Sequence, residues 1–310
     1  MSDSKSPSIN NLVRLAAATA ALIALTSAAS ADPVSPAGWT VGISLGAALP
    51  QGVYFIDTGT YFERSASAPG APKIDAGVNL PLIAWSTPFT IFGGHVQVLA
   101  TVPELAIGIN PGAPVGSSWH RDVYNPAGLV GVAWDLGGGW SFADYVGGFA
   151  PVNTDIGSNI GLGGNFWTFL ENASIAYNHD GWSASANFFY AHSGNDRATG
   201  LYLQPDTAQV DFAITKHIDK WEVGLVGYGS TDLSSAIRNT DFTGVHKQSQ
   251  FALGGLVGYN FGPVIAQVYL TRDVTESNYT GYDTRLWTRV IVPLWNPEAP
   301  AARKPLVTKY

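Results

Sequence analysis

Apolar and polar residues alternate with a period of two along much of this 310-residue chain. Phe251, Leu253, Val257, Tyr259 and Phe261 fall on odd positions, opposite Gln248, Gln250 and Asn260 on even ones. Val264, Ala266, Val268 and Leu270 alternate with Gln267, Tyr269 and Thr271. The same rhythm sets Phe92, Val96, Val98, Ala100 and Val102 against His95, Gln97 and Thr101. Trp182, Ala184, Ala186, Phe188 and Tyr190 stand against Ser183, Ser185 and Asn187. Ala208, Val210, Phe212 and Ile214 stand against Thr207, Gln209, Asp211 and Thr215. A period of two means strands with one greasy and one polar face. Two uncharged stretches, 76–94 and 249–271, are long enough for membrane helices, but Pro88 and Pro263 interrupt them at turn-like positions.

The pattern predicts twelve strands, near 51–64, 74–86, 90–103, 122–135, 140–151, 165–177, 182–192, 205–217, 221–231, 248–260, 264–274 and 282–295. The gaps run 9, 3, 18, 4, 13, 4, 12, 3, 16, 3 and 7 residues, so every second one is short. The short ones are Thr-Pro-Phe, Leu-Gly-Gly-Gly, Asn-His-Asp-Gly, Ile-Asp-Lys and Phe-Gly-Pro. Water-soluble sandwiches have no reason to sort loops by parity, whereas outer-membrane barrels put short turns in the periplasm and long loops outside. At about 3.3 Å per residue and a tilt near 40°, such strands span roughly 28–35 Å, enough for a bilayer core. An even number closes the sheet with no edge left in lipid. The expected fold is therefore all-β, a transmembrane antiparallel up-and-down barrel of about twelve strands.

Tryptophans agree with that geometry. Trp85, Trp134, Trp140, Trp182 and Trp221 flank the short turns and Trp295 ends the last strand, as an interfacial aromatic girdle requires. Two strands break the alternation: 140–151 mixes Phe142, Asp144 and Val146 with Ala143, Tyr145 and Phe149, and Glu171 shares parity with Trp167, Phe169, Ile175 and Tyr177. A bulge that flips the face is the expected cause, and an inward-facing, lumen-lining face is the alternative.

Composition narrows the classes further. Charged residues are only 13% of the chain, against 35 glycines and 37 aromatics. A net charge of −7 leaves no basic face for nucleic acid. The absence of cysteine excludes disulfide scaffolds, thiolate metal sites and cysteine nucleophiles. At the N-terminus, Lys5 and Arg14 precede a short apolar run that ends in Ala29-Ser30-Ala31, the layout of a signal peptide cleaved before Asp32. The expected organisation is a signal peptide over 1–31, a periplasmic segment or plug over 32–50, an outer-membrane barrel over 51–295 and a tail over 296–310. The segment GWTVGISLGAALP (38–50) is apolar and glycine-rich and is expected to enter the barrel as a plug.

Several stretches resemble a known family: GVYFIDTGTYFE (52–63), Gly93-Gly94, DVYNPAGLVGVAW (122–134), GGWSFADYVGGFAPVN (138–153), NFWTFLENASIAYNHDGWSASANFFY (165–190) and KWEVGLVGYGSTD (220–232). They are similar to the "MetA-pathway of phenol degradation" proteins, outer-membrane transporters of Gram-negative bacteria. The resemblance extends over about residues 50–295. It implies an outer-membrane barrel linked to uptake of aromatic or other hydrophobic small molecules, and it carries no catalytic residues with it. One departure is the stretch NPEAPAARKPLVTKY after Trp295, where many such barrels end on an aromatic residue.

Candidate chemistry is sparse. The histidines, at 95, 120, 179, 192, 217 and 246, form no nucleophile–base constellation, and there is no Gly-x-Ser-x-Gly elbow or His-Glu-x-x-His pair. His120, His179 and His246 are expected in loops or turns, and His95 could pair with Asp211 across the barrel. Asn153-Thr-Asp155-Ile-Gly-Ser-Asn159 resembles a calcium loop without its terminal Glu, and Gly161-Leu-Gly163-Gly164 is loop punctuation. No enzyme, cofactor or metal site is expected. The lumen-lining candidates, by parity, are His95, Gln97, Thr101, Asn187, Gln209, Asp211, Thr215, Gln267, Tyr269, Arg285 and Arg289. Charges facing lipid at mid-depth cost about 2–4 kcal/mol, so the polar phase is assigned to the lumen. Asp211 against Arg285 and Arg289 would set up a transverse field. Loops 104–121 and 232–247 are expected to fold inward, the former bringing Leu105, Ile107, Ile109 and Trp119.

Together these features predict a channel for passive uptake of small hydrophobic or aromatic compounds, exported to the Gram-negative outer membrane. Its expected partners are the solute, outer-membrane lipid and the barrel assembly machinery, and nucleic acid is excluded. A structural or adhesive surface barrel with a filled lumen is the alternative.

Overall fold

The computed structural model describes residues 35–65, 73–110, 118–152, 165–236, 240–241, 244–279 and 281–297. The expected signal peptide, the calcium-like stretch 153–159, Gly161–Gly164 and most of the tail lie outside the described residues. Strands dominate what is described: β1 (Gly52–Ser65), β2 (Lys73–Ile91), β3 (Gly94–Thr101), β4 (Glu104–Asn110), β5 (Ser118–Val123), β6 (Ala127–Gly137), β7 (Trp140–Phe149) and β8 (Thr168–His179). They continue as β9 (Trp182–Ser193), β10 (Thr207–Ile218), β11 (Trp221–Asp232), β12 (Thr240–Asp241), β13 (Gly244–Val245), β14 (Ser249–Asn260), β15 (Ile265–Ser277) and β16 (Asp283–Trp295). Both stretches long enough for helices are strands.

Neighbouring strands pair antiparallel, and β1 pairs with both β2 and β16, which closes the sheet on itself. β2 pairs with β3 along one part of its length and with β4 along the other. β3 and β4 therefore form one wall strand interrupted at Val102–Pro103. β5 and β6 form another, interrupted at Tyr124–Pro126. Counted this way the wall is a closed antiparallel barrel of twelve strands. The short pair β12–β13 stands apart in the 232–247 connection.

Three expectations need correction. Residues 104–121 are not an inward loop: most form β4 and β5, because Leu105, Ile107 and Ile109 continue the period of two past Pro103. Proline is tolerated at this interruption, where no ladder bond is required. Leu105 and Ile107 keep the inward phase, while Trp119 is exposed over Gly108 on the outer wall. His120 accordingly belongs to a strand and not to a loop.

The turn expected at Thr87-Pro88-Phe89 lies further on, at Phe92-Gly93, where both residues have positive φ (49° and 80°). That twist matches a two-residue hairpin, and Pro88 sits in the register shift between Ser86 and Thr90, where its missing N–H costs no ladder bond.

No bulge separates β7 from β8 or β8 from β9. Asp144 and Glu171 simply point outward, Glu171 being exposed beside Trp167 and Phe169. The phase is fixed by the opposite face: Ala143, Tyr145 and Phe149 on β7 and Leu170, Asn172, Ser174 and Ala176 on β8 are all buried.

The outer face also carries Asp57, Asn79, Glu104 and Arg272, but most of it is apolar. Val98, Phe188, Ile214, Val257, Val268 and Leu270 lie on it, and Trp85, Trp140, Trp182, Trp221 and Trp295 sit about half exposed near the hairpin turns. Trp140 packs on Tyr177 and Trp221 on Tyr259, forming a girdle at the turn end of the barrel.

Candidate functional site: the barrel lumen

Residues 35–50 lie inside this cylinder and not beside it. They turn repeatedly on themselves, with backbone bonds from Trp39 to Pro36, Val41 to Gly38, Ile43 to Thr40 and Ala47 to Ser44. Several further polar groups of this segment are met by the inward face of the wall, as buried polar groups require.

Asp211 on β10 receives three of those contacts: Gly38 N at 2.8 Å, Thr40 N at 2.9 Å and Thr40 Oγ1 at 2.7 Å. Gln209 Nε2 donates to the same carboxylate at 3.0 Å, and Ser35 Oγ reaches Gln209 Oε1. Arg289 on β16 supplies the opposite sign. Its Nη2 donates to Trp39 O at 2.7 Å and to Tyr269 Oη at 3.0 Å. Its Nη1 donates to Val41 O and to Gln267 Oε1, and Nε to Thr58 Oγ1. All five guanidinium donors are used, which only arginine's fixed fork allows. Tyr269 Oη donates to Gly38 O at 2.9 Å, and Asn187 Nδ2 reaches Thr40 O and Ile43 O.

Gly38 is confined on every side. Its φ is 98°, and an added Cβ would stand 2.7 Å from the Tyr228 ring and 2.9 Å from Trp287. Trp287 in turn stacks on Tyr269 with centroids 5.3 Å apart. An L side chain would be both strained and obstructed here.

Residues 44–50 meet a different wall. Three of their carbonyls are hydrogen-bonded by hydroxyls: Leu45 O by Tyr145, Leu49 O by Ser86 and Pro50 O by Tyr54. Their side chains face Ile56, Leu82, Ala84, Leu99 and Ile291, with a cavity of about 190 Å³ left between segment and wall. Tyr145 Oη also lies 2.8 Å from Gln97 Oε1, at the margin of that cavity.

Of the residues assigned to the lumen by parity, Gln97, Thr101, Asn187, Gln209, Asp211, Thr215, Gln267, Tyr269, Arg285 and Arg289 are all buried. His95 shares the phase of Gln97 but is exposed at the turn end and makes no bond to Asp211. Arg285 lies apart from Arg289: its Nε donates to Asp283 Oδ2 at 2.8 Å, and its guanidinium sits over the Phe62 and Tyr228 rings. Asp211 and Arg289 thus grip the inner segment, while Arg285 belongs to a separate ionic group.

Glu222, Asp283, Tyr145 and Tyr228 are also buried in the lumen, beyond the residues that parity placed there. Glu222 accepts from Thr215 and Gln267, joining two assigned residues. Asp283 shares the parity of Arg285 and Arg289, a signal that would have found it. β11 mixes glycine and apolar residues on both faces, so Tyr228 had no such signal. Among the described residues, no three potential metal ligands come together.

A family model described as "Putative MetA-pathway of phenol degradation" matches residues 57–290, most of the barrel. The chain belongs to this family. Its fold is similar to that of the COG4313 outer membrane channel from Pseudomonas putida F1, with a TM-score of 0.64 at 14% identity, covering 80% of this chain and 97% of that one. Weaker likenesses include a Pseudomonas aeruginosa FadL homologue (TM-score 0.43, 8% identity, 83% and 97% covered) and the translocator domain of autotransporter NalP from Neisseria meningitidis (0.45, 10%, 79% and 89%). No curated protein matches the sequence. The family member described here is a closed, twelve-stranded antiparallel barrel.

Proposed function

We propose that this family member is a non-enzymatic outer-membrane channel for passive uptake of small hydrophobic or aromatic compounds, with residues 32–50 as its plug. In this reading the first 31 residues direct export and are removed before Asp32. The barrel then reaches the outer membrane through the assembly machinery, with residues 296–310 as a tail.

The observation that carries the reading is how the lumen is filled. The segment joins the wall only through β1 and is otherwise held by side-chain hydrogen bonds and packing, in a barrel whose own ladders close without it. Such a segment can leave without breaking the cylinder. A filled lumen also suits a structural or adhesive surface barrel, the competing reading.

Conductance across planar bilayers separates the two. A channel with a plug shows small or rare steps in the native chain and larger ones after deletion of residues 32–50. No steps in either chain would refute the channel, and unchanged steps on deletion would refute the plug. Uptake of aromatic carbon sources by cells with and without the chain tests the solute class.

A further inference from the structure

The cavity beside residues 42–49 is lined mainly by carbon. Leu45 and Leu49 close it from the segment, Leu82 and Leu99 from the wall, and its volume is about 190 Å³. An apolar cavity of roughly 150 Å³ is already enough to stay dry and admit benzene. The space therefore suits a single aromatic ring with a small substituent.

One side chain at its margin sets the chemistry. Gln97 is 2% exposed and its amide meets the Tyr145 hydroxyl at 2.8 Å, but that hydroxyl has one proton and also faces Leu45 O; in either setting of the amide, one of its two polar atoms stays buried without a hydrogen-bond partner among the described residues. Leaving a buried amide atom unpaired is costly, and a hydroxyl brought by an occupant, which can both donate and accept, recovers part of that cost. Among the described residues no charged side chain lines the cavity, so an ionised occupant would lose its hydration without compensation.

We infer that this cavity is a binding site for a neutral, single-ring molecule carrying one hydrogen-bonding oxygen, which Gln97 recognises. The site deepens the uptake reading and rests on it for its role, since the occupant sits between the plug and the wall that the plug must leave. Ring burial supplies affinity, and Gln97 selects the oxygenated ring over its hydrocarbon isostere. A site built to hydrogen-bond one group discriminates through the polar atom left unpaired by the wrong ligand.

Benzyl alcohol and ethylbenzene match in shape and differ in that one group. Their binding to the refolded mature chain in detergent is measured by titration, with the side-chain amide signal of Gln97 followed by NMR. Benzyl alcohol is expected to bind saturably and to shift that signal, and ethylbenzene to leave it in place. In Gln97→Leu the affinity ratio of alcohol to hydrocarbon should fall about fivefold, the worth of one neutral hydrogen bond. Leu99→Phe, which fills the cavity and leaves Gln97 in place, should weaken both ligands together.

Failure of both compounds to saturate, or a ratio unmoved by Gln97→Leu, overturns the site. Those results leave the conductance and uptake tests of the channel untouched. Binding here without uptake by cells would instead refute the channel and keep the site.

Discussion

The two halves of the inner segment are held by different physics. Residues 35–43 are tied by directional, largely charge-assisted hydrogen bonds to Asp211 on β10 and from Arg289 on β16. Residues 44–50 rest on apolar wall, with neutral hydroxyl contacts and the cavity between. Charge-assisted bonds are roughly twice as strong as neutral ones and fix orientation, whereas apolar contact is non-directional and tolerates sliding. In the proposed channel the first half serves as the latch and the second as the stopper.

Breaking the latch should have the largest effect. Arg289→Ala removes the charged donors of Trp39 O and Val41 O, worth about 1.5–3 kcal/mol each. Release of the segment should become favoured by about a hundredfold or more, since 1.4 kcal/mol is a factor of ten, and single-channel recordings would show it as raised open probability. If openings stay at the native level, the latch is not where the stability lies.

Gly38→Ala attacks the same half through shape. The added methyl overlaps Tyr228 and Trp287 at a positive φ, and such overpacking costs roughly 1–3 kcal/mol. Because the chain has no cysteine, Ser44→Cys alone reports on the segment, and thiol labelling there should speed up about tenfold when Gly38→Ala is added. Asp211→Asn keeps the outline but weakens the bonds from Gly38 N and Thr40. Its expected gain in labelling is about fivefold, from loss of roughly 1 kcal/mol. The smallest effect belongs to the stopper half: Ser86→Ala deletes the one hydroxyl on Leu49 O, and open probability should rise by no more than about threefold. A larger change from Ser86→Ala than from Asp211→Asn would invert the comparison.

The wall was legible because lipid outside and a polar lumen inside impose opposite demands on alternate residues. Gln97, Gln209, Asp211, Gln267 and Arg289 could be placed inward from parity alone. Legibility ended where that contrast weakened. Asp144 and Glu171 carry charge on the outer face, so alternation misled there, and their phase is set by Tyr145, Leu170 and Asn172 opposite. Proline misled at 88, since a register shift accommodates it as readily as a turn. Phe92, not a usual residue for positive φ, hid the true hairpin. His95 shows that phase without height along the barrel is not enough, because it points inward at the open end.

The chain by itself determined the strands, their inward and outward faces and the closure of the barrel, since those follow from local period and from the need to pair every backbone group in lipid. Tertiary structure alone decided how the segment in the lumen is held. Asp211 and Arg289 are 78 positions apart in sequence, and the carbonyls and amides they grip carry no signature of their own. Only closing the cylinder around residues 35–50 brings those groups within hydrogen-bonding distance.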